Sequence, residues 1–301
     1  MNYAEQNLIR SISQISGKER RLTTTEAAFK KAGEIISEHS IKITDFSDLY
    51  RKSGIENDQK VVDNKLSRPK KELHTREAES KNYADTLEAM VFTGIGENKW
   101  MGPDASPIKT SDYDDIENKV DMIIEFIMRE GAAHLALGID VTFDSLFGYK
   151  YRKIEEEIIR GELGQIKYFK SEKMNLRGEL RNIPRVVIGV DINNIQELIK
   201  PWVDEKKDIL NNHPIQFLIL EEIRLQLQFY KQYAEELGKG KIVEIYSRSL
   251  AIIEQIISQK ETAYGGEIEN LLGNLRNDRH YLEIKERMNK KNLNERLALI
   301  D

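Results

Sequence analysis

Apolar residues recur at helical spacing along most of this chain and change to strand-like runs in its middle. Apolar residues at helical spacing predict a helix from about Asn82 to Phe92, which Gly94 and Gly96 should stop. Two apolar runs follow at 120–126 and 135–141, and each has the length of a strand. A hairpin turn over residues 129–132 should join them, so the middle of the chain predicts a pair of antiparallel strands.

The second half of the chain returns to helical spacing, interrupted by two further strand-like runs. A helix is predicted from Tyr149 to Gly161, and strands are predicted from Gln165 to Phe169 and from Arg185 to Val190. The last of these runs is continuously apolar, as expected for a strand buried on both faces. Beyond Asp191 the pattern is helical, with predicted helices over 215–237, 242–258 and 268–299.

These elements fall into four regions of different composition. Residues 1–50 predict short amphipathic helices, and residues 51–80 form a charged linker with few apolar side chains. Residues 81–205 hold the predicted strands, and residues 206–301 form a helical region. A loop rich in proline and aspartate, from Gly102 to Asp115, precedes the first strand. We expect an α+β fold whose core has the order αβββαβ, with helical N-terminal and C-terminal extensions.

Composition excludes several classes of site. The 301 residues include no cysteine, which excludes disulfides, thiolate zinc sites and cysteine nucleophiles and fits a reducing cytoplasm. No apolar run reaches the roughly 18 residues of a membrane span. The 51 Asp and Glu residues outnumber the 46 Lys and Arg residues, so nucleic-acid binding would need a local basic patch. Neither a P-loop nor a glycine-flanked serine elbow is present.

Two aspartates stand at the ends of the two central strands. Asp121 opens the first apolar run, and Asp140 closes the second. Strand alternation places Asp121 on one face with Ile123 and Glu125, so the two carboxylates should converge while the alternate residues fill the core. Two or three carboxylates leave Mg²⁺ or Mn²⁺ with open positions for water and a phosphate oxygen. Glu88, on the preceding helix, is the candidate third ligand.

This arrangement resembles the core of the PD-(D/E)XK nuclease superfamily, especially its junction-resolvase-like members. The segment Val120-Asp121-Met122-Ile123-Ile124 is similar to the strand that carries the first acid. Asp140-Val141-Thr142 is similar to the strand that ends in an acid and a lysine, except that Thr142 stands in the lysine position. The resemblance implies a restriction-endonuclease-like core and Mg²⁺-dependent or Mn²⁺-dependent cleavage of DNA or RNA. It also implies that Glu88, Asp121 and Asp140 hold the metal ion.

The threonine at position 142 leaves the basic group of the motif unassigned. In the family this ammonium activates water and stabilises developing negative charge. Lys153 on the following helix and Lys167 on the next strand are the candidate replacements. We favour Lys167 because a strand is the more rigid support, and Thr142 would then position water.

Two further segments bear on binding, and each has a plain structural alternative. The acidic loop before the first strand contains Asp112, Asp114 and Asp115, of which Asp115 is the candidate outer-shell metal ligand. A solvated turn is the alternative. Residues 144–185 have more Lys and Arg than Asp and Glu and include aromatic residues, so they could follow a phosphate backbone and stack a base. A mixed-charge surface is the alternative for this segment.

The leading hypothesis is a metal-dependent nuclease, with DNA favoured over RNA as the substrate. Its candidate catalytic residues are Asp121, Asp140, Thr142, Lys153 and Lys167. Two alternatives stay open: a catalytically inactive relative that binds nucleic acid or protein, and a helical scaffold whose sheet is only structural. A homo-oligomer or a protein partner could use the C-terminal helices under any of these hypotheses.

Overall fold

The computed structural model describes residues 23–67, 75–128, 131–140 and 147–289. They form a mixed structure of helices and strands, which confirms the predicted α+β class. Up to the end of the sheet, the elements are α1 (23–39), a 3-10 turn (Ile43–Phe46), α2 (Lys52–Leu66), α3 (Thr75–Gly96), β1 (Ala105–Lys109), a π-helical turn (Asp114–Asn118), β2 (Met122–Met128), β3 (Gly131–Asp140), α4 (Phe147–Arg160), β4 (Gly164–Ser171), β5 (Leu176–Ile183) and β6 (Arg185–Gly189). The C-terminal elements are α5 (Ile192–Val203), α6 (Lys207–Asn211), α7 (Ile215–Glu236), α8 (Gly240–Ala263), α9 (Ile268–Leu272), a 3-10 turn (Gly273–Asn277) and α10 (Arg279–Asn289).

The central sheet has the strand order β1-β2-β3-β6. β2 is antiparallel to both of its neighbours, and β6 is parallel to β3. α3 precedes β1, and the chain passes through α4 between the parallel strands β3 and β6, so the order is αβββαβ with one inserted hairpin. That hairpin is formed by β4 and β5, which pair in a second sheet. The strand predicted over Gln165–Phe169 is therefore present as β4, but it lies outside the central sheet.

The third strand before α4 is β1, in the segment that the sequence predicts as a loop. Its register pairs Pro107 with Ile124 and Lys109 with Met122. β1 is an edge strand with a single neighbour, and a proline is tolerated there because its missing N–H can face away from the ladder. The loop prediction for Gly102–Asp115 is thus wrong over β1. The two prolines of this segment favoured a loop, although an edge strand tolerates a proline.

The two faces of β2 pack against different partners. Met122, Ile124 and Phe126 belong to the large core, together with apolar residues of α3. Ile123, on the opposite face, joins a smaller cluster with Ile166, Phe169, Ile183 and Val120, so the β4–β5 hairpin covers this face. Successive side chains of β2 point to opposite faces, so its continuous apolar run is buried on both sides of the sheet.

α3 extends beyond the predicted helix at both ends. It runs through Gly94, which the sequence predicts as a stop, and ends at Gly96. A Cβ at Gly94 would lie 2.4 Å from Cε3 of Trp100, so this glycine admits an indole ring rather than ending the helix. The indole Nε1 of Trp100 donates to the carbonyl oxygen of Leu210, which ties α3 to the end of α6.

Part of the segment predicted as a charged linker forms a regular helix, α2, with Ile55 and Val62 buried. Residues 68–74 of that segment lie outside the described residues, as do residues 1–22. Beyond β6 every described regular element is helical, and the long helix predicted over 215–237 is confirmed as α7. The helix predicted over 268–299 is divided into α9, a 3-10 turn and α10 within the described part, which ends at residue 289.

Candidate functional site

The acid predicted on the first helix of the core, Glu88, lies inside the protein at the edge of the sheet. Glu88 is 8% exposed on α3. Its Oε1 atom lies 3.0 Å from the ammonium nitrogen of Lys109, whose side chain is 3% exposed. Removing two such charges from water is unfavourable unless they pair, so this buried ion pair fixes α3 to the end of β1.

Lys109 also connects β1 to the beginning of β2. Its Nζ atom donates to the carbonyl oxygen of Asp121 over 2.9 Å. Thr110 donates to the same oxygen through its backbone N–H and its hydroxyl group, over 3.3 Å and 3.0 Å. The backbone before β2 is therefore held in place, and the half-buried Asp121 side chain is presented at this edge.

Asp115 brings a third carboxylate to the cluster. It lies in the π-helical turn between β1 and β2, and its side chain is hydrogen-bonded to that of Asp121. Two carboxyl groups can form such a bond only if they share a proton. The charged groups at this edge are thus Glu88, Asp115 and Asp121 around the ammonium group of Lys109, and we call them the acidic cluster.

Burial and neighbouring carboxylates raise the pKa values of two acids of the cluster, Glu88 and Asp115. Burial raises the pKa of Glu88 to about 8, an effect that Lys109 opposes and that Asp121 and Asp115 reinforce. Burial and the neighbouring Asp121 raise the pKa of Asp115 to about 7. Burial alone would lower the pKa of Lys109, but the surrounding carboxylates outweigh it and raise that pKa. Lys109 therefore stays charged, whereas Glu88 and Asp115 titrate near neutral pH.

Asp140 ends β3 at the same edge of the sheet. Ala136 pairs with Ile123, so alternation places positions 121 and 140 on the same face. Their meeting in one metal site stays a prediction, because the side chain of Asp140 lies outside the described part, and so does Thr142. Among the side chains that are described, no group of three His, Cys, Asp or Glu residues is arranged to hold a metal ion.

Lys167, the favoured replacement for the missing lysine, is engaged elsewhere. Its ammonium group pairs with Asp58 of α2 and lies 5.4 Å from the ring centroids of Tyr50, Tyr113 and Tyr168. The predicted position of Lys167 beside Asp140 is therefore not supported, because the side chain anchors α2 to the β4–β5 hairpin. Lys109, which the sequence analysis did not single out, is the lysine beside Asp121.

The other residues of the acidic loop have separate environments. Asp114 is fully buried and accepts hydrogen bonds from Ser111, Asn118 and the backbone N–H groups of Lys167 and Tyr168. It therefore joins the π-helical turn to β4. Asp112 is exposed. Of these three aspartates, Asp115 is the one whose side chain is hydrogen-bonded to Asp121. An outer-shell metal ligand would need such a contact.

A second buried polar group packs against Gly189 of β6, the residue that pairs with Asp140. His280 of α10 lies with Nδ1 3.0 Å from Oε1 of Glu222 and Nε2 2.8 Å from the hydroxyl oxygen of Tyr151. A Cβ at Gly189 would lie 2.5 Å from the His280 ring, so only glycine admits the histidine there. All three side chains are buried, and they join α4, α7 and α10 behind the sheet.

Comparisons with protein-family models, with curated proteins and with solved structures find no match to this chain. Among the described residues, no helix is both long enough and apolar enough to cross a membrane.

Proposed function

We propose that this protein is a metal-dependent nuclease of the PD-(D/E)XK type. The observation that carries the proposal is the acidic cluster: Glu88, Asp115 and Asp121 lie around Lys109 at the sheet edge where β3 ends in Asp140. A divalent cation would neutralise carboxylates that repel one another, and it would displace the protons that they hold near neutral pH.

The sheet topology also supports this proposal. The order αβββαβ, with β2 antiparallel to its neighbours and β6 parallel to β3, agrees with the arrangement that the resemblance implies. It brings the beginning of β2 and the end of β3 to one edge of the sheet. The β4–β5 hairpin is an addition between α4 and β6.

In this proposal Asp121 and Asp140 would hold Mg²⁺ or Mn²⁺, with Glu88 completing the set. The oxygen donors fit such an ion, and Asp140 is needed because the described side chains alone do not form a site. The bound ion would polarise a phosphate oxygen and lower the pKa of a water molecule. Lys109 would supply the positive charge that Thr142 cannot, since its ammonium group is already held against the backbone of Asp121.

The test is cleavage by the purified protein with Mg²⁺ or Mn²⁺ on single-stranded, duplex and branched DNA and on RNA. Asp121→Asn and Asp140→Asn should each abolish cleavage, because each removes a charged metal ligand. Asp112→Asn is the matched control: it changes the same residue type in the acidic loop, at an exposed position, and should leave cleavage intact. Unchanged cleavage by Asp121→Asn would contradict the proposal.

A catalytically inactive relative that binds nucleic acid is the second candidate. The observation that favours it is the burial of the Glu88–Lys109 pair, which engages both side chains in a structural contact. This candidate predicts binding of nucleic acid without cleavage under any metal condition. A helical scaffold protein predicts neither binding nor cleavage, so the same experiment separates the three hypotheses.

A further inference from the structure

The outer face of α4 carries an exposed aromatic ring. Tyr149, in the first turns of the helix, is 69% exposed. The other aromatic residues of the same part of the chain, Tyr151, Tyr168 and Phe169, are buried. Tyr149 therefore does not contribute to the core as they do.

Basic side chains share this face of α4 with Tyr149. Arg152 and Lys153 follow Tyr149 by three and four residues, so all three lie on one stripe of the helix. Ile154 and Ile158, which are buried, mark the opposite face. The stripe continues to Arg160, whose guanidinium group pairs with Glu156 and Glu162.

The basic stripe extends from α4 to the beginning of β2. A guanidinium nitrogen of Arg185 donates to the carbonyl oxygen of Lys119 over 3.4 Å. Burial and the positive charges of Arg185 and Lys119 lower the pKa of Lys153, although Glu157 and Glu117 oppose part of this effect. Arg185 is itself paired with Glu157. Within the described residues, Lys153 makes no ion pair. Lys119 is exposed and lies two residues before Asp121, so the stripe leads to the acidic cluster.

We propose that Tyr149, Arg152, Lys153 and Lys119 form the substrate-binding surface of the proposed nuclease site and that this surface takes single-stranded nucleic acid. The role of this surface in cleavage rests on the proposed function, whereas its binding of single strands does not. The phenol ring of Tyr149 stacks on an unpaired base, and the basic side chains contact phosphate oxygens. Single strands are favoured over duplex because an exposed ring needs a base whose face is free.

Because the chain is acidic overall, the contribution of this basic surface to nucleic-acid binding can be measured. The net charge is −5, so the protein as a whole does not attract a polyanion. Binding must then depend on the few positive charges of the stripe, and each lost phosphate contact should reduce the salt dependence of the affinity by about 0.7 in the logarithmic slope.

The experiment is fluorescence anisotropy of a labelled oligothymidine and of a labelled duplex, in the Asp121→Asn background so that the probe is not cleaved. Tyr149→Ala should weaken binding of the single strand by about tenfold, whereas Tyr149→Phe should retain it because the ring remains. Lys153→Ala should weaken binding and reduce the salt slope. Lys60→Ala, at an exposed lysine of α2, is the control and should change neither.

Equal affinity for duplex and single strand, with no effect of Tyr149→Ala, would overturn the proposal. Binding of polyglutamate with the same dependence on Lys153 and none on Tyr149 would indicate an acidic protein partner and would overturn it as well. Binding as expected, in a parent protein that never cleaves, would refute the nuclease and keep this surface. Cleavage that is unaffected by Tyr149→Ala and Lys153→Ala would keep the nuclease and refute this surface.

Discussion

Two acids of the acidic cluster, Glu88 and Asp115, have folded-state pKa values above their usual range, each for a physical reason. Glu88 is removed from water, and Asp115 is both half-buried and hydrogen-bonded to Asp121. One ammonium group cannot balance three carboxylates. The folded protein therefore binds protons that the unfolded chain releases, and the sign of the resulting pH dependence is fixed by this difference.

The first prediction is that the free energy of unfolding falls as the pH rises from 4.5 to about 8, the unfolded and folded pKa values of Glu88. Protons bound only in the folded state are lost across this range, so the stability that they provide is present at low pH and disappears at high pH. Glu88→Gln should flatten the dependence by roughly 1 to 3 kcal/mol. Urea unfolding across this range measures it, and an equally steep dependence in Glu88→Gln would contradict the assignment.

The second prediction concerns the close approach of His280 to Gly189. Gly189→Ala places a methyl group 2.5 Å from the ring of a histidine that Glu222 and Tyr151 hold on both sides. The ring cannot move without breaking those contacts, so we expect a loss of about 1 to 3 kcal/mol in unfolding free energy.

Gly33→Ala is the matched control for this substitution, because Gly33 lies in α1 and a Cβ there meets nothing within 4 Å. Alanine is favoured over glycine inside a helix, so this variant should gain about 0.5 to 1 kcal/mol. Urea unfolding of both variants checks the pair. Equal stability of Gly189→Ala and the parent would show that the His280 ring can move aside.

At the scale of elements, α7 closes the free edge of the central sheet. The side-chain amide of Gln226 accepts from the N–H of Val187 over 2.8 Å and donates to its carbonyl oxygen over 2.7 Å. Glu222, one turn earlier, accepts from the N–H of Gly189. The helix thus supplies the hydrogen bonds that another strand would make, and it protects an edge that could otherwise pair with a second chain.

The third prediction is that Gln226→Leu lowers the unfolding free energy by about 1 to 3 kcal/mol, because it leaves both backbone groups of Val187 buried without partners. Hydrogen exchange of the Val187 amide should become faster in the same variant. Gln232→Leu is the control: Gln232 lies on the same helix, donates to Glu236 at the surface, and should change stability little. Unchanged exchange at Val187 would show that another group protects this edge.

The elements that could be predicted from the sequence are those whose apolar residues form a continuous run or repeat with the period of a helix. β2, α4, β6 and α7 carry such patterns, and each was found close to its predicted place. β1 was not predicted because it contains Pro107, which is typical of loops. β5 was not predicted because most of its side chains are exposed. Lys109 lies in the middle of the predicted loop, so without β1 nothing in the sequence places it beside Asp121.

Contacts between segments that are distant in the sequence could not be predicted either. Lys167 is well placed for catalysis only if the face of β4 that carries it is open. In the structure α2 lies against this face, and Asp58 and three tyrosine rings surround the ammonium group. Local periodicity carries no information about which helix covers a hairpin more than a hundred residues away.

At the scale of the whole molecule, one hydrophobic core joins the regions that composition had separated. Its buried residues come from α1 and α3, from the central sheet, and from α7, α8 and α10. The predicted boundary between residues 205 and 206 therefore crosses a shared core. α7 is central to it, since apolar residues such as Leu218, Ile223 and Leu227 are fully buried.

The last prediction is that the fragment 81–205, expressed alone, does not fold cooperatively. Without α7 and α10 the fragment exposes the apolar side chains of β6 and α4, and the backbone groups of Val187 lose Gln226. Burying one such side chain contributes about 1.5 to 3 kcal/mol, so losing several exceeds the typical stability of a domain. Urea unfolding followed by circular dichroism should show no sharp transition for the fragment, and adding residues 206–301 as a second chain should restore one. A sharp transition in the isolated fragment would instead show that the α/β core is an independent domain and that the C-terminal helices are an attachment to it.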